Sequence, residues 1–267
     1  MVTQLGGLLS FLALGSKVQS ACSRSLRYYF LHLDGSPQAA TGMAEASTTN
    51  TSIFGGTPPW NVSHFSEDML AGTGGPEGYI EIASSGDVIL KIPAAAAGTT
   101  NLRVSSHVLC TTSPVFRAML GPHSQFREAS EFRTRSADNP YELSIVDDYP
   151  YALTAILLAL HCRGEMVPVN PAFKDLVELA IVCDKYDCRG GLLPWVDIWT
   201  AAWKPRLLES RYEEWLFIAW VFGIKEGFEE LSRKLILESY IDPADGMLRS
   251  TGEMQLGKLN IPERVLG

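Results

Sequence analysis

A short stretch from residue 105 to residue 110 carries the side chains best suited to chemistry. Ser105, Ser106, His107 and Cys110 stand close together, and a serine or cysteine beside a histidine can form a nucleophile with its base. On a helix, the three-residue spacing of His107 and Cys110 would bring their side chains together. One hypothesis is therefore a cysteine or serine hydrolase that uses His107 and Cys110.

Helix boundaries offer a second explanation for these residue types. Ser113 followed by Pro114 is typical of a helix N-cap and first helical position, and Gly121 suits a helix end. This predicts a buried helix over 114–120, preceded by a turn that Ser105 or Ser106 caps. Neither a G-x-S-x-G elbow nor a cysteine-protease signature is present. We therefore interpret the cluster as structural, predict no catalytic residue and expect a non-enzymatic protein.

Metal and cofactor sites are not expected. Cys183 and Cys188 are five residues apart, which puts them on different faces of a helix. The sequence has no C-x-x-C or H-x-x-x-H pair, and the glycine-rich segment 71–78 precedes a strand instead of following one. Asp147 and Asp148 precede a helix, where negative charge is favourable, so we expect them to cap it.

The overall composition restricts the classes of partner. A formal net charge of -8 without a cluster of Lys or Arg disfavours nucleic-acid binding. No apolar run approaches the length of a membrane span, and five scattered cysteines suit a reducing compartment. The N-terminus is weakly similar to a signal peptide but lacks the basic leading segment. We therefore expect a cytoplasmic or nuclear protein that binds neither nucleic acid nor membrane.

The chain divides by composition into four parts. The expected organisation is a disordered, low-complexity extension over 1–78, a domain over 79–203, a helical extension over 204–245 and a tail over 246–267.

Hydrophobic periodicity indicates a sheet combined with helices. Strands are predicted over 86–92, from 102 onward and over 141–147, with a loop over 93–101. The helical segments share an apolar stripe at helical spacing and begin or end at recognisable signals. They are 149–162, a helix opening with Asn170 as N-cap and Pro171, a helix over 212–222 ended by Gly223, and 226–240.

A tryptophan stripe follows the helix that opens at Asn170. Trp195, Trp199 and Trp203 are spaced by four residues. We expect Trp195 in the core and leave Trp199 and Trp203 as candidates for an interaction surface.

Taken in order, four segments resemble the BTB/POZ domain, most closely its fungal type, over about residues 84–200. They are "GDVILKI", "LRVSSHVLCTTSPVFRAMLG", "YELSIVDDYPYALTAILLALHCRGEMVP" and "LVELAIVCDKYDC". The resemblance implies an α/β (α+β) fold with a small mixed sheet flanked by a helical cluster. It also implies protein binding, either self-association as a homodimer or, as the alternative, recruitment of substrates to a cullin-based ubiquitin ligase.

The sequence departs from the animal members at the residues matching their dimer interface. Those members carry His-Arg at the positions of Ser105 and Ser106, and the Arg pairs with the Asp that matches Asp87. Asp87 is therefore expected to lack a basic partner and to cap locally or face solvent. The candidate interaction surface comprises Asp87, Ser105, Ser106, Trp199 and Trp203, with an apolar patch expected from the helices in 105–121 and 171–203.

Overall fold

The computed structural model describes residues 79–94, 98–136, 139–146 and 148–260. These residues form a mixed α/β fold, as predicted, with eight α-helices and a four-stranded sheet. The extension predicted over 1–78 lies outside the described residues, as do Asp147 and the last residues of the predicted tail. Within the described ranges, no helix combines the length and apolar composition that a membrane crossing requires.

The main sheet is built around one hairpin. Its two long strands pair antiparallel, and a short strand lies parallel to the hairpin at each edge. In the order found across the sheet, the strands are β1 (Ile80–Glu81), β3 (Gly98–Val104), β2 (Val88–Ala94) and β4 (Tyr141–Ser144).

The hairpin strands are longer than predicted. The segment 93–101, predicted as a loop, mostly continues the ladder, with Ile92 opposite Thr100 and Lys91 opposite Asn101. Backbone pairing satisfies polar strand residues as well as apolar ones, so the apolar pattern alone underestimates strand length. The third predicted strand is shorter than expected, although the Ile145 N–H still donates to the Lys91 carbonyl at 2.9 Å.

Three helices connect β3 to β4: α1 (Ser106–Thr112), α2 (Pro114–Leu120) and α3 (Arg127–Thr134). The predicted boundaries of α2 are confirmed. The Ser113 hydroxyl accepts from the Phe116 N–H at 3.1 Å and donates to the Tyr186 carbonyl at 2.5 Å, and Gly121 is the C-cap. Ser113 therefore starts α2 and also ties it to a helix more than seventy residues further along.

Three longer helices follow the sheet: α4 (Pro150–Leu160), α5 (Phe173–Tyr186) and α6 (Arg189–Ala201). The prediction that α5 opens with Asn170 and Pro171 is wrong, because its N-cap is Ala172. The Pro171 carbonyl instead accepts the Trp203 indole N–H at 2.9 Å. A contact with a distant residue thus holds Pro171 outside the helix.

Asp148 does not cap α4 as predicted. Tyr149 occupies the N-cap position and makes no side-chain cap bond. The Asp148 carboxylate is instead buried, pairing with the Lys185 ammonium at 2.9 Å and accepting from the Tyr186 hydroxyl at 2.6 Å. The carboxylate therefore joins the segment before α4 to the end of α5.

The C-terminal part packs on the same hydrophobic core. It contains α7 (Trp215–Phe222), α8 (Lys225–Glu238) and a hairpin of β5 (Tyr240–Ile241) and β6 (Leu248–Arg249). The predicted end of α7 at Gly223 is confirmed, with a left-handed φ of 68° that glycine adopts easily. Leu256 and Leu259 complete the core cluster that begins in the sheet.

Candidate interaction site

Asp87 joins the start of β2 to the start of α1. Its Oδ1 accepts from the Ser106 N–H at 2.8 Å, and its Oδ2 accepts from the Ser106 hydroxyl at 2.7 Å. A carboxylate in this position satisfies a free N–H of the first turn and interacts favourably with the helix dipole. The prediction that Asp87 caps locally is confirmed. Ser105 occupies the N-cap position but makes no side-chain cap bond itself.

Arg135 supplies the positive charge that Asp87 was expected to lack. The Arg135 Nη2 lies 3.3 Å from the Asp87 Oδ2, and the two side chains are only 24% and 35% exposed. The guanidinium also stacks over the Phe132 ring, with its Cζ 3.9 Å from the centroid. The expectation that Asp87 has no basic partner is therefore wrong. Sequence reasoning missed Arg135 because it lies beyond α3, far from Asp87 in the chain.

Ser105 is held by His161, a residue for which the sequence predicts no role. The Ser105 N–H donates to the His161 Nε2 at 3.1 Å, and the His161 Nδ1 lies 2.8 Å from the Leu157 carbonyl. Burial lowers the pKa of the His161 imidazole, and the bond to the Leu157 carbonyl opposes that shift. Two successive backbone N–H groups are thus fixed by Asp87 and His161.

Trp199 lies in the core, so its prediction as part of a surface is wrong. It is 1% exposed, and its indole N–H donates to the Pro168 carbonyl at 2.7 Å. The indole of Trp199 thus satisfies a carbonyl in the segment before α5. Trp195, expected in the core, is only partly buried and stacks on Trp199.

Trp203 is partly buried and belongs to an aromatic group formed with α5. Its ring centroid lies 5.4 Å from that of Phe173 and 6.1 Å from that of Tyr212. The candidate residues therefore separate into two places. Asp87, Ser105 and Ser106 come together at the β3–α1 junction, whereas the tryptophans pack with the helices that follow.

Large exposed apolar side chains occur on α6 but not on α1 or α2. Leu193 is 52% exposed and Ile198 is 42% exposed. The large apolar residues of α2 face the core, where Val115, Phe116, Met119 and Leu120 are all buried. The apolar patch expected from 105–121 is therefore absent from that described segment. In 171–203, Leu193 and Ile198 are exposed but stand five residues apart on α6, so they lie on different faces of the helix and do not form one patch.

The geometry at Cys110 does not activate its thiol. The Sγ donates to the Phe116 carbonyl at 3.7 Å, and burial raises the pKa of the thiol by more than the positive charge of Arg117 lowers it. His107 is exposed, and no hydrogen bond joins it to Cys110 within the described part of the chain. A reactive cysteine requires the opposite, a lowered pKa next to a base or a positive charge.

We expect Cys110 to react slowly with a thiol reagent at neutral pH. The exposed Cys162 is the internal control, since solvent reaches it in the folded chain. Peptide mass spectrometry after timed labelling of the native protein would give both rates. Labelling of Cys110 faster than Cys162 would contradict this prediction and restore the hydrolase hypothesis.

Neither a protein-family model nor a curated protein matches the chain. Among the described residues, no group of three or more His, Cys, Asp or Glu side chains is arranged to hold a metal ion.

Proposed function

We propose that residues 79–203 act as a protein–protein interaction module of BTB/POZ type, without catalytic activity or cofactor. The observation that carries the proposal is the convergence of the four segments that resemble this family. They form the β2–β3 hairpin, α1 with α2, β4 with α4, and α5, and these elements pack around one core. A small mixed sheet flanked by helices is also the architecture that the resemblance implies.

The Asp87–Arg135 pair defines how this module would differ from self-associating members of the family. There the matching Asp pairs with an Arg at the position of Ser106. Here Arg135 of the same chain reaches the Asp87 carboxylate. Because this charge is compensated internally, association should depend on shape and apolar contact more than on ion pairing.

We assign the main partner contact to α6, at one of its two exposed apolar side chains, which lie on different faces of the helix. Leu193 and Ile198 expose about half of their surface, and both lie within 171–203, one of the two segments in which the sequence predicts apolar contact with a partner. A few side chains that become fully buried on binding supply most of the affinity of a protein interface, while the contacts around them exclude water. The raised pKa of Cys110 argues against the hydrolase alternative.

A double variant of the full chain, Leu193→Asp with Ile198→Asp, tests this assignment. Both positions are solvent-exposed, so the variant should fold while losing its partner. Leu237→Asp is the matched control, because Leu237 is 76% exposed on α8, outside residues 79–203. Sedimentation would measure self-association, and affinity capture followed by mass spectrometry would identify other partners.

The expected result is a complex that the wild type and Leu237→Asp form and that the α6 variant loses. If the captured partner that depends on α6 is a cullin, the protein acts as a ubiquitin-ligase adaptor. If the partner is a second copy of the chain, the protein acts by self-association. A wild-type chain that stays monomeric and retains no partner would refute the proposal. A complex that survives the α6 substitutions would place the contact elsewhere.

A further inference from the structure

The contact between Ser105 and His161 fixes the protonation state of the imidazole. A backbone N–H can only donate, so the Nε2 that accepts from Ser105 at 3.1 Å must be unprotonated. The Nδ1 then carries the hydrogen and donates to the Leu157 carbonyl at 2.8 Å. The neutral imidazole with a proton on Nδ1 is the form that satisfies both contacts.

A second proton would remove one of these contacts. The imidazolium carries N–H groups at both nitrogens, so an Nε2–H would face the Ser105 N–H, donor against donor. The Ser105 N–H would then be left without its acceptor, which is unfavourable for a partly buried backbone group. Protonation therefore opposes the packing of the β3–α1 junction against the end of α4.

The charged and titratable groups on the surrounding elements are engaged elsewhere. Both imidazole nitrogens face backbone groups, so none of these side chains bonds to the ring. Asp87 binds Ser106 and Arg135, and Arg163 binds Glu165 and the Ile82 carbonyl. On α1, the Cys110 Sγ donates to the Phe116 carbonyl and His107 is exposed. At the start of α6, the Cys188 Sγ donates to the Cys183 carbonyl.

We propose that His161 is a pH-sensitive latch that holds the β3–α1 junction to α4 while neutral and releases it when protonated. The inference concerns the junction itself and holds whether or not the junction contacts a partner. Its release would loosen Ser105 and the first turn of α1, and the neighbouring Asp87–Ser106 contact would lose part of its support.

The direction of the pH effect follows from linkage. The pKa of His161 in the folded chain lies below its ordinary value of 6.5, so the unfolded chain binds the proton first as the pH falls. Stability is therefore lost below about pH 6.5 and continues to fall until the folded-state pKa is reached. Within that window, His161 should lower the folding equilibrium constant by up to about tenfold per pH unit.

The test compares the full chain with His161→Gln and with His107→Gln, which replaces an exposed histidine on α1. Chemical denaturation from pH 7.5 to 5 gives the slope of stability against pH for each protein. The wild type and His107→Gln should share the additional loss below pH 6.5, and His161→Gln should lack it. An unchanged slope in His161→Gln would overturn the proposal.

A second measurement on the wild type keeps the proposal testable if His161→Gln does not fold. Imidazole nitrogen shifts of the folded chain should report a proton on Nδ1 and a bare Nε2. The Ser105 amide signal should shift in step with protonation of His161, below pH 6.5. A proton on Nε2 near pH 7.5, or protonation of His161 at or above pH 6.5, would refute the latch.

Discussion

Replacing Phe116 with alanine is expected to lower the free energy of unfolding by about 3–5 kcal/mol. Phe116 is 1% exposed on α2, and its ring stacks on that of Tyr186 with centroids 4.4 Å apart. Truncation removes the buried ring, leaves a cavity and ends the stacking contact, which itself contributes about 0.5–1.5 kcal/mol. Equilibrium denaturation in urea would measure the loss.

Leu237→Ala provides the control for Phe116→Ala. Leu237 is 76% exposed, so its truncation should change stability by no more than about 0.5 kcal/mol. A Phe116→Ala protein as stable as this control would show that the ring is not part of the core. If such a protein had also lost its partner, Phe116 would belong to the interface instead.

Replacing Asp148 with alanine is expected to cost about 3 kcal/mol of stability, at the lower end of the range for breaking a buried ion pair. Its side chain is 1% exposed, whereas that of Lys185 is 16% exposed. Alanine leaves the Lys185 ammonium and the Tyr186 hydroxyl without this acceptor. Lys185 keeps its contact with the Val146 carbonyl at 3.1 Å, which limits the penalty.

A second ion pair, which is exposed, provides the control that distinguishes the effect of burial from the effect of charge. Asp197 pairs with Lys204 at 2.8 Å, and the Asp197 side chain is 85% exposed. Asp197→Ala should therefore cost less than about 1 kcal/mol in the same denaturation assay. Equal losses for Asp148→Ala and Asp197→Ala would contradict the role assigned to the buried carboxylate.

Signals within a few residues of each other predicted local structure well. Ser113, Pro114 and Gly121 set both ends of α2 because cap bonds and proline geometry act within one turn. Gly223 ended α7 for the same kind of reason. By contrast, Asn170 and Pro171 form an equally good start signal, but the Pro171 carbonyl is used by Trp203 instead. A contact between distant residues overrode the local preference.

The candidate site depends on contacts between residues that are far apart in the chain, and the spacing of residues in the sequence does not predict such contacts. A stripe of tryptophans identifies a helix face but not what that face contacts, so the sequence leaves Trp199 as a candidate for a surface although its side chain is buried. Arg135 and His161 approach the β3–α1 junction from α3 and α4. Neither lies in a pattern with Asp87 or Ser105, so only the tertiary structure shows that these four residues belong together.

The position of Leu256 and Leu259 has a consequence for synthesis of the protein. Both are buried in the core, and nearby Ser250 donates to the buried Glu213 carboxylate at 2.6 Å. During translation, the sheet and the apolar helix α4 leave the ribosome long before these residues do. The nascent chain therefore passes through a stage at which the part of the core that Leu256 and Leu259 complete is still open, and chaperones can bind such exposed apolar surface.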